Sequence, residues 1–135
     1  MIFALINEIG IIEQLSRAMF EARLPKGVLV SHFAVLNHLT RVADGRTPLE
    51  LARAFQVPKT TLSHTLALLE QRGWIEMRPN PGDKRSKQVW ITADGRAFRE
   101  EAIGALTPEM SVMARAPEMQ AVDALVARLS EIRQY

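Results

Sequence analysis

Residues 47–92 restrict the fold more than any other part of the chain, because the spacing of apolar residues changes within them. Up to Gly73 apolar residues recur at three- and four-residue steps, which is typical of helices. After Gly73 they alternate with polar residues, as in 75–78 and 88–92. A turn-rich, basic stretch at 79–87 separates the two alternating runs. The pattern predicts two helices followed by a β-hairpin with a long basic loop.

The first of these helices has a compact start signal. Thr47 is placed to cap it, and Pro48 suits its first position because no N–H partner is needed there. Glu50 completes a capping box with Thr47. The helix is short and ends near Phe55. Only two residues connect it to the next helix, because Val57 precedes a proline and is disfavoured in the helical conformation.

The second helix of the pair is predicted over residues 58–72. Leu62, Leu66 and Leu69 form its buried stripe, and Gly73 supplies a left-handed C-cap. Short polar side chains near its N-terminus fall on other faces. This helix therefore keeps one face for packing and leaves a polar face free.

Further helices are predicted before this pair. Residues 2–22 are apolar nearly all round, which indicates that a partner chain covers part of this helix. Residues 31–43 form the other one, with Ser31 as a plausible N-cap. Its expected stripe consists of Phe33, Leu36, Leu39 and Val42 or Ala43.

Two more helices are predicted after the hairpin. Thr92 caps one that runs from about Ala93 to about Ala114, and Pro108 is expected to kink or interrupt it. Pro117 is expected to open the last helix. The predicted fold is therefore mainly α with a small β-hairpin (α+β), a winged helix-turn-helix with helical extensions at both ends.

Length, composition and charge exclude several classes of protein. The chain has 135 residues, 47% of them apolar, which suits one domain with a substantial core. It contains no cysteine, which excludes disulfides, thiolate metal sites and a cysteine nucleophile. Residues 46–87 carry eight basic against four acidic side chains, an excess typical of proteins that bind a polyanion. The apolar N-terminus is too short and too polar to span a membrane, so a cytoplasmic protein is expected.

The order short helix, tight turn, helix, strand, basic loop, strand is that of a winged helix-turn-helix. In this arrangement the second helix enters the major groove of DNA. Lys84, Arg85 and Lys87 lie at the hairpin tip, where long cationic side chains suit the negative potential of a narrow minor groove. Asp83 is expected to pair with Arg85 and so to shape the wing.

The sequence resembles the multiple-antibiotic-resistance regulator (MarR) family of bacterial transcription factors. The segments that carry the resemblance are Thr47-Pro48-Leu49-Glu50-Leu51-Ala52, Leu62-Ser63-His64, Leu68-Leu69-Glu70-Gln71-Arg72-Gly73-Trp74-Ile75, Asp83-Lys84-Arg85-Ser86-Lys87 and Ile91-Thr92-Ala93-Asp94-Gly95. Each segment is weakly specific, but their combination at these spacings is strong. The order of the flanking helices extends the resemblance over nearly the whole chain.

The resemblance implies a homodimer that binds double-stranded DNA at a roughly palindromic site and acts as a repressor. Residues 1–24 and 93–135 would be the dimerisation helices, and 29–92 the DNA-binding lobe. The family's wing motif falls on Asp83 and Arg85. Its recognition-helix positions fall on Lys59, Thr60, Thr61, Ser63 and His64.

The resemblance also implies a small aromatic or phenolic effector that binds between the first, second and fifth helices. No residue identifies this ligand, so no effector site is assigned. No cofactor or metal is expected.

Two other functions are alternatives to DNA binding. An enzyme is disfavoured because His32, His38 and His64 lack metal-ligand spacing, and because no phosphate-binding loop or nucleophile elbow occurs. A winged-helix protein-interaction module remains the alternative, although such a module does not need three cations on its wing.

Three single residues are expected to have chiefly structural roles. Trp74 and Trp90 are expected to pack in the core or sheet. His38 is expected to be half-buried and hydrogen-bonded, with a place in an effector cleft as the alternative.

Overall fold

The computed structural model describes residues 1–134, which form helices and one antiparallel hairpin. The mainly α fold with a β-hairpin is therefore confirmed. The elements are α1 (Ile2–Glu21), α2 (Val30–Arg41), α3 (Pro48–Phe55), α4 (Lys59–Gln71), β1 (Ile75–Pro79), β2 (Lys87–Ile91), α5 (Ala93–Ala114), a 3₁₀ turn (Pro117–Met119) and α6 (Val122–Ile132). One compact unit comprises Met1–Ile103, and a second begins at Gly104.

The core of the first unit is built from α2, α3, α4 and the hairpin. Its most buried side chains come from all four: Leu36, Leu39, Leu51, Leu69 and Val89. The apolar stripe predicted for α4 is confirmed, since Leu62, Leu66 and Leu69 are buried. This packing leaves the remaining faces of α4 in solvent.

The start predicted for α3 is confirmed in detail. The Glu50 N–H donates to Thr47 Oγ1 (3.2 Å), and the Thr47 N–H donates to Glu50 Oε1 (3.1 Å). These bonds satisfy N–H groups that a helix start otherwise leaves unpaired. The bond from the Thr47 backbone, followed by one from the Arg46 side chain, lowers the pKa of Glu50. At the other end Gln56 adopts φ +55°, which turns the chain towards α4.

The predicted start and apolar stripe of α2 need correction. The helix begins at Val30, so Ser31 lies inside it and does not cap it. The cap bond comes from His32, whose Nδ1 accepts the Leu29 N–H at 2.8 Å. The helix ends at Arg41, and Val42 is 63% exposed instead of buried. The buried stripe contains Val35 directly before the predicted Leu36 and Leu39.

The hairpin has the predicted alternation. Ile75 pairs with Ile91 and Met77 with Val89, so their side chains share one face of the sheet. That face is buried at Ile75, Val89 and Ile91. The Val89 N–H donates to Arg46 O (2.7 Å), which attaches the residue before α3 to the same sheet. The hairpin is therefore fixed directly to the helix pair.

The junctions on either side of the hairpin also follow the sequence. Gly73 has φ +72°, the left-handed conformation predicted after α4. Thr92 caps α5, since its Oγ1 accepts the Gly95 N–H (3.0 Å). The same hydroxyl donates to Gly73 O at 2.6 Å. One side chain thus joins the start of α5 to the end of α4.

Pro108 does not break α5, which continues through it to Ala114. The predicted start of the last helix at Pro117 is wrong. Pro117–Met119 form a 3₁₀ turn, and α6 begins at Val122. The turn closes through a bond from the Gln120 N–H to Pro117 O, and Ala121 then leaves helical geometry. Helix-start residues can nucleate a single turn that is not continued.

We expect the stability of the fold to fall in mild acid, chiefly through His32. This side chain is 6% exposed, and Nδ1 must be unprotonated to accept the Leu29 N–H. Burial and then the charge of Arg72 lower the pKa of His32, while Glu21 acts in the opposite direction. The unfolded chain, with an ordinary pKa of about 6.5, binds the proton more readily. The contribution is therefore complete above that pH and is lost as the pH falls below it.

Urea unfolding midpoints between pH 8 and pH 5 test this expectation. His32→Gln, which keeps an acceptor oxygen but does not titrate, should flatten the pH dependence. His38→Gln is the companion variant, because burial and then Arg46 also lower the pKa of His38. An unchanged slope in His32→Gln would show that the capping histidine does not control acid stability.

Candidate nucleic-acid interface

The N-terminal half of α4 presents a polar face to solvent. Five side chains predicted to read DNA are all exposed on it: Lys59, Thr60, Thr61, Ser63 and His64. The opposite face is buried through Leu62, Thr65 and Leu66. The Ser63 hydroxyl donates to Lys59 O (3.0 Å), which leaves its oxygen free to accept another bond. The helix thus offers donors and acceptors of small size along one exposed edge.

The wing, residues 79–87, holds its cations in solvent. Lys84, Arg85 and Lys87 are all exposed, and the Arg85 side chain retains 93% of its accessible surface. The expected Asp83–Arg85 pair is present. Its shorter bond runs from the Arg85 N–H to Asp83 Oδ1 (2.9 Å), and the guanidinium Nε is 3.4 Å from the same oxygen. Asp83 therefore binds mainly the backbone, and the guanidinium, in longer contact with the same oxygen, stays almost fully exposed.

One cleft of about 480 Å³ lies between the start of α4 and the wing. Of the predicted DNA-binding residues it is lined by Lys59, Arg85 and Lys87, together with Asp83. The tertiary structure thus brings a cation of the helix next to two cations of the loop. Lys84, Thr60, Thr61, Ser63 and His64 do not line this cleft.

Other cleft residues were not singled out from the sequence as site residues. They come from the start of α3 and from the hairpin: Thr47, Pro48, Leu49, Met77, Asn80 and Ser86. The sequence pattern of Thr47 and Pro48 predicts only a helix start. The turn-forming types of Asn80 and Ser86 were the one available signal, and they indicated a loop without indicating a role.

Both tryptophans lie in the structural positions expected of them. The Trp74 ring stacks on Phe98 with centroids 3.8 Å apart. Trp90 is half-buried, and the Arg78 guanidinium lies 4.9 Å from its ring centroid. The two rings therefore support the base of the hairpin.

His38 is half-buried as expected, but its predicted hydrogen bond is missing at one nitrogen. Nε2 is enclosed and has no hydrogen-bond partner among the described residues. The ring packs edge-on against Phe55 at 5.4 Å and borders a cleft of about 360 Å³ between α2 and α3. Aromatic packing, which sequence spacing does not reveal, occupies the space where a partner was expected.

Searches of residues 1–134 for two other kinds of site were negative. These residues contain no cluster of three or more histidine or acidic side chains arranged to hold a metal ion. No helix among them is long and apolar enough to cross a membrane.

Comparison with known proteins shows which family the central segment of the chain resembles. Residues 26–86 match the model of the MarR family. Through this segment the chain is similar to the MarR family. The curated MarR proteins of Salmonella typhimurium and Escherichia coli are 39% and 35% identical to it over 77 and 85 residues. These matches cover 57% and 63% of this chain, but only 53% and 58% of the relatives.

Solved structures extend the likeness beyond the matched segment. A mutant MarR from Escherichia coli, solved in complex with operator DNA, superposes with a TM-score of 0.80 at 27% identity. The alignment covers 97% of this chain and 94% of that one. The regulator BldR from Sulfolobus solfataricus reaches a TM-score of 0.84 at 24% identity, with 98% and 94% covered, and shows the shared fold.

Proposed function

We propose that this chain is a transcriptional regulator that binds double-stranded DNA sequence-specifically as a homodimer. Residues 29–92 would form the DNA-binding lobe, and residues 1–24 and 93–135 the dimerisation helices. The observation that carries the proposal is the exposed polar face of α4 beside a cationic wing, with Lys59, Arg85 and Lys87 around one cleft. The similarity to the MarR family supports a regulator and not an enzyme.

The geometry of α4 suits the major groove, which is wide enough for one helix. Thr60, Thr61 and Ser63 are short enough to reach base edges while the helix backbone approaches closely. His64 and Lys59 would contact bases or phosphates from the same exposed edge. The buried leucine stripe orients this face, because rotating the helix would expose Leu62 and Leu66. We therefore assign sequence reading to residues 58–72.

The wing suits the minor groove alongside. A narrow minor groove attracts inserted arginine, and the Arg85 guanidinium is almost fully exposed on the hairpin. Lys84 and Lys87 flank it and would neutralise phosphates. Asp83 would keep the loop in shape by binding the Arg85 backbone.

Two apolar helices support the homodimer. α1 spans 20 residues and has no buried residue, and Phe3, Ile6 and Ile12 are each at least 60% exposed. In the second unit, α6 likewise exposes Leu125, Val126 and Ile132. Large exposed apolar surfaces mark interaction sites in proteins that fold in water. A two-fold dimer would present its recognition helices to half-sites about one DNA turn apart, and hence to a pseudo-palindrome.

The proposal includes repression and release by a small molecule. A dimer bound at a promoter would block transcription in the cytoplasm, where bacterial DNA lies. An aromatic or phenolic effector would release the DNA if it bound one spacing of the two recognition helices better than another. Solution distance measurements between labelled α4 helices, with and without a releasing compound, test this coupling. An unchanged distance would contradict it.

Selection of bound sites from random duplexes at physiological salt tests DNA binding itself. We expect a pseudo-palindromic site whose half-sites are about one helical turn apart. Affinity for that site should fall steeply with salt, because phosphate neutralisation releases counterions. Recovery of unselected sequences would contradict specific reading. Absence of duplex binding at low salt would favour the protein-interaction module instead.

A further inference from the structure

The wing is closed at its base by a bond between two side chains. Asn80 Nδ2 donates to Ser86 Oγ at 2.9 Å, across the ends of the loop that joins β1 to β2. Both residues are half-buried, and both line the cleft beside Lys59 and Arg85. The loop that carries the cations is thus bounded by a polar bridge placed next to the proposed DNA surface.

The side-chain oxygen of Asn80 stabilises the turn that follows by accepting a hydrogen bond. Asn80 Oδ1 accepts the Gly82 N–H at 3.0 Å, and the Asn80 backbone carbonyl accepts the Asp83 N–H at 3.3 Å. An asparagine that bonds two residues ahead of itself imitates a backbone turn. One planar amide therefore fixes the distance from the Gly82 amide to the Ser86 hydroxyl.

Ser86 connects the bridge to Asp83, which in turn binds the backbone of Arg85. The Ser86 N–H donates to Asp83 O (3.1 Å), and the Ser86 hydroxyl is 3.4 Å from the same carbonyl. The Asp83 carboxylate then accepts the Arg85 N–H at 2.9 Å. A continuous set of bonds connects Asn80 through Ser86 and Asp83 to the backbone of Arg85. The exposed Arg85 side chain extends from the last residue of this set.

We infer that Asn80 and Ser86 are positioning residues, which order the wing before DNA arrives. This inference rests on the proposed function, because it assigns the bridge a role in presenting Arg85 and Lys87. A loop that is already ordered avoids the entropy loss of ordering on binding, and the saving appears as affinity. Without the bridge, the loop tip would be a flexible connection that carries the same charges.

Three measurements on Asn80→Ala test the inference. In the free protein, ¹⁵N order parameters of the amides of residues 82–85 should fall from rigid values near 0.85 towards 0.6 or below. Affinity for the selected duplex should fall roughly tenfold, because side chains of the loop must then be ordered on binding. The slope of affinity against salt should stay unchanged, because every cation is still present. The melting temperature should stay close to that of the wild-type protein.

Four further variants accompany Asn80→Ala. Ser86→Ala should change both quantities in the same direction as Asn80→Ala but by less, because the bond from the Gly82 N–H to Asn80 remains. The double variant should be little worse than Asn80→Ala, because the bridge is already absent there. Asn80→Asp retains an acceptor for Gly82 and for the Ser86 hydroxyl, so it should restore the order parameters. Only order is measured for this variant, since its charge repels phosphate. Ser31→Ala, which removes an exposed hydroxyl of α2 outside both the hairpin and α4, should change neither quantity.

The outcomes separate the two proposals. Unchanged order parameters in Asn80→Ala would overturn the positioning role, and an affinity loss in that case would make Asn80 a direct DNA contact. A matching loss of melting temperature would make the bridge a general stability element and also overturn the role. If the wild-type protein binds no duplex, the proposed function fails. The order parameters then still report whether the bridge orders the wing.

Discussion

Arg85→Ala should weaken binding to the selected duplex by about 1–3 kcal/mol, while the fold stays intact. The loss follows from removing a guanidinium that is 93% exposed and free to enter the minor groove. Stability should change little, because the bond that shapes the wing uses the Arg85 backbone N–H, which alanine retains. Titration of labelled duplex with the wild-type protein and the variant at one fixed salt concentration measures the difference.

The matched control for this experiment is Arg41→Ala. Arg41 is an exposed arginine on α2, and it does not line the cleft between α4 and the wing. Its removal takes away the same formal charge and should have a much smaller effect on affinity. Equal losses in the two variants would reduce the role of Arg85 to general charge. A large loss of melting temperature in Arg85→Ala would instead make the Asp83–Arg85 pair structural.

Gly95→Ala should destabilise the fold by about 3 kcal/mol, at the upper end of the range for overpacking. A Cβ at this position would lie 2.1 Å from Trp74 O and 2.9 Å from Ile91 Cγ1. The carbonyl has little freedom to move away, because it accepts the Thr92 N–H at 3.0 Å. The first turn of α5 would therefore shift away from the hairpin. Chemical unfolding of both proteins measures the loss.

Gly104→Ala is the control within the same helix. No heavy atom lies within 4 Å of the position that its Cβ would occupy. Alanine there should stabilise the helix by about 0.5–1 kcal/mol, because glycine loses more conformational freedom on folding. If the two variants gave similar changes, close approach at Gly95 would not be the reason for its glycine.

Much of the fold could be predicted because its signals are local. The capping box of Thr47 and Glu50, the left-handed Gly73 and the alternation of the hairpin all depend on residues within a few positions of one another. The errors arose where a local signal had two outcomes. Ser31 could cap α2, but His32 caps it instead, and Pro117 started a 3₁₀ turn that did not continue. Capping residues are shared by helices and turns, so residue type alone did not decide between them.

The candidate site likewise has features that the sequence predicts and features that it does not. The exposed face of α4 followed from the spacing of its leucines, since buried and exposed positions alternate with the helical period. That Lys59, Arg85 and Lys87 line one cleft could not be predicted from the sequence, because it depends on how the hairpin packs against the start of α4. The bridge between Asn80 and Ser86 was hidden for a related reason. A turn-rich composition predicts a loop and does not specify which side chains meet within it.

By itself, the amino-acid sequence determined the order of helices and strands, the faces they bury and the segment that carries positive charge. These properties depend on periodicity and capping, which act over one or two turns of chain. Three other properties depend on how the chain packs: which cations line one cleft, why Gly95 has no room for a side chain and which atoms hold the wing. Those properties arise from contacts between separate elements or across a loop, and their distances exist only after the elements have packed.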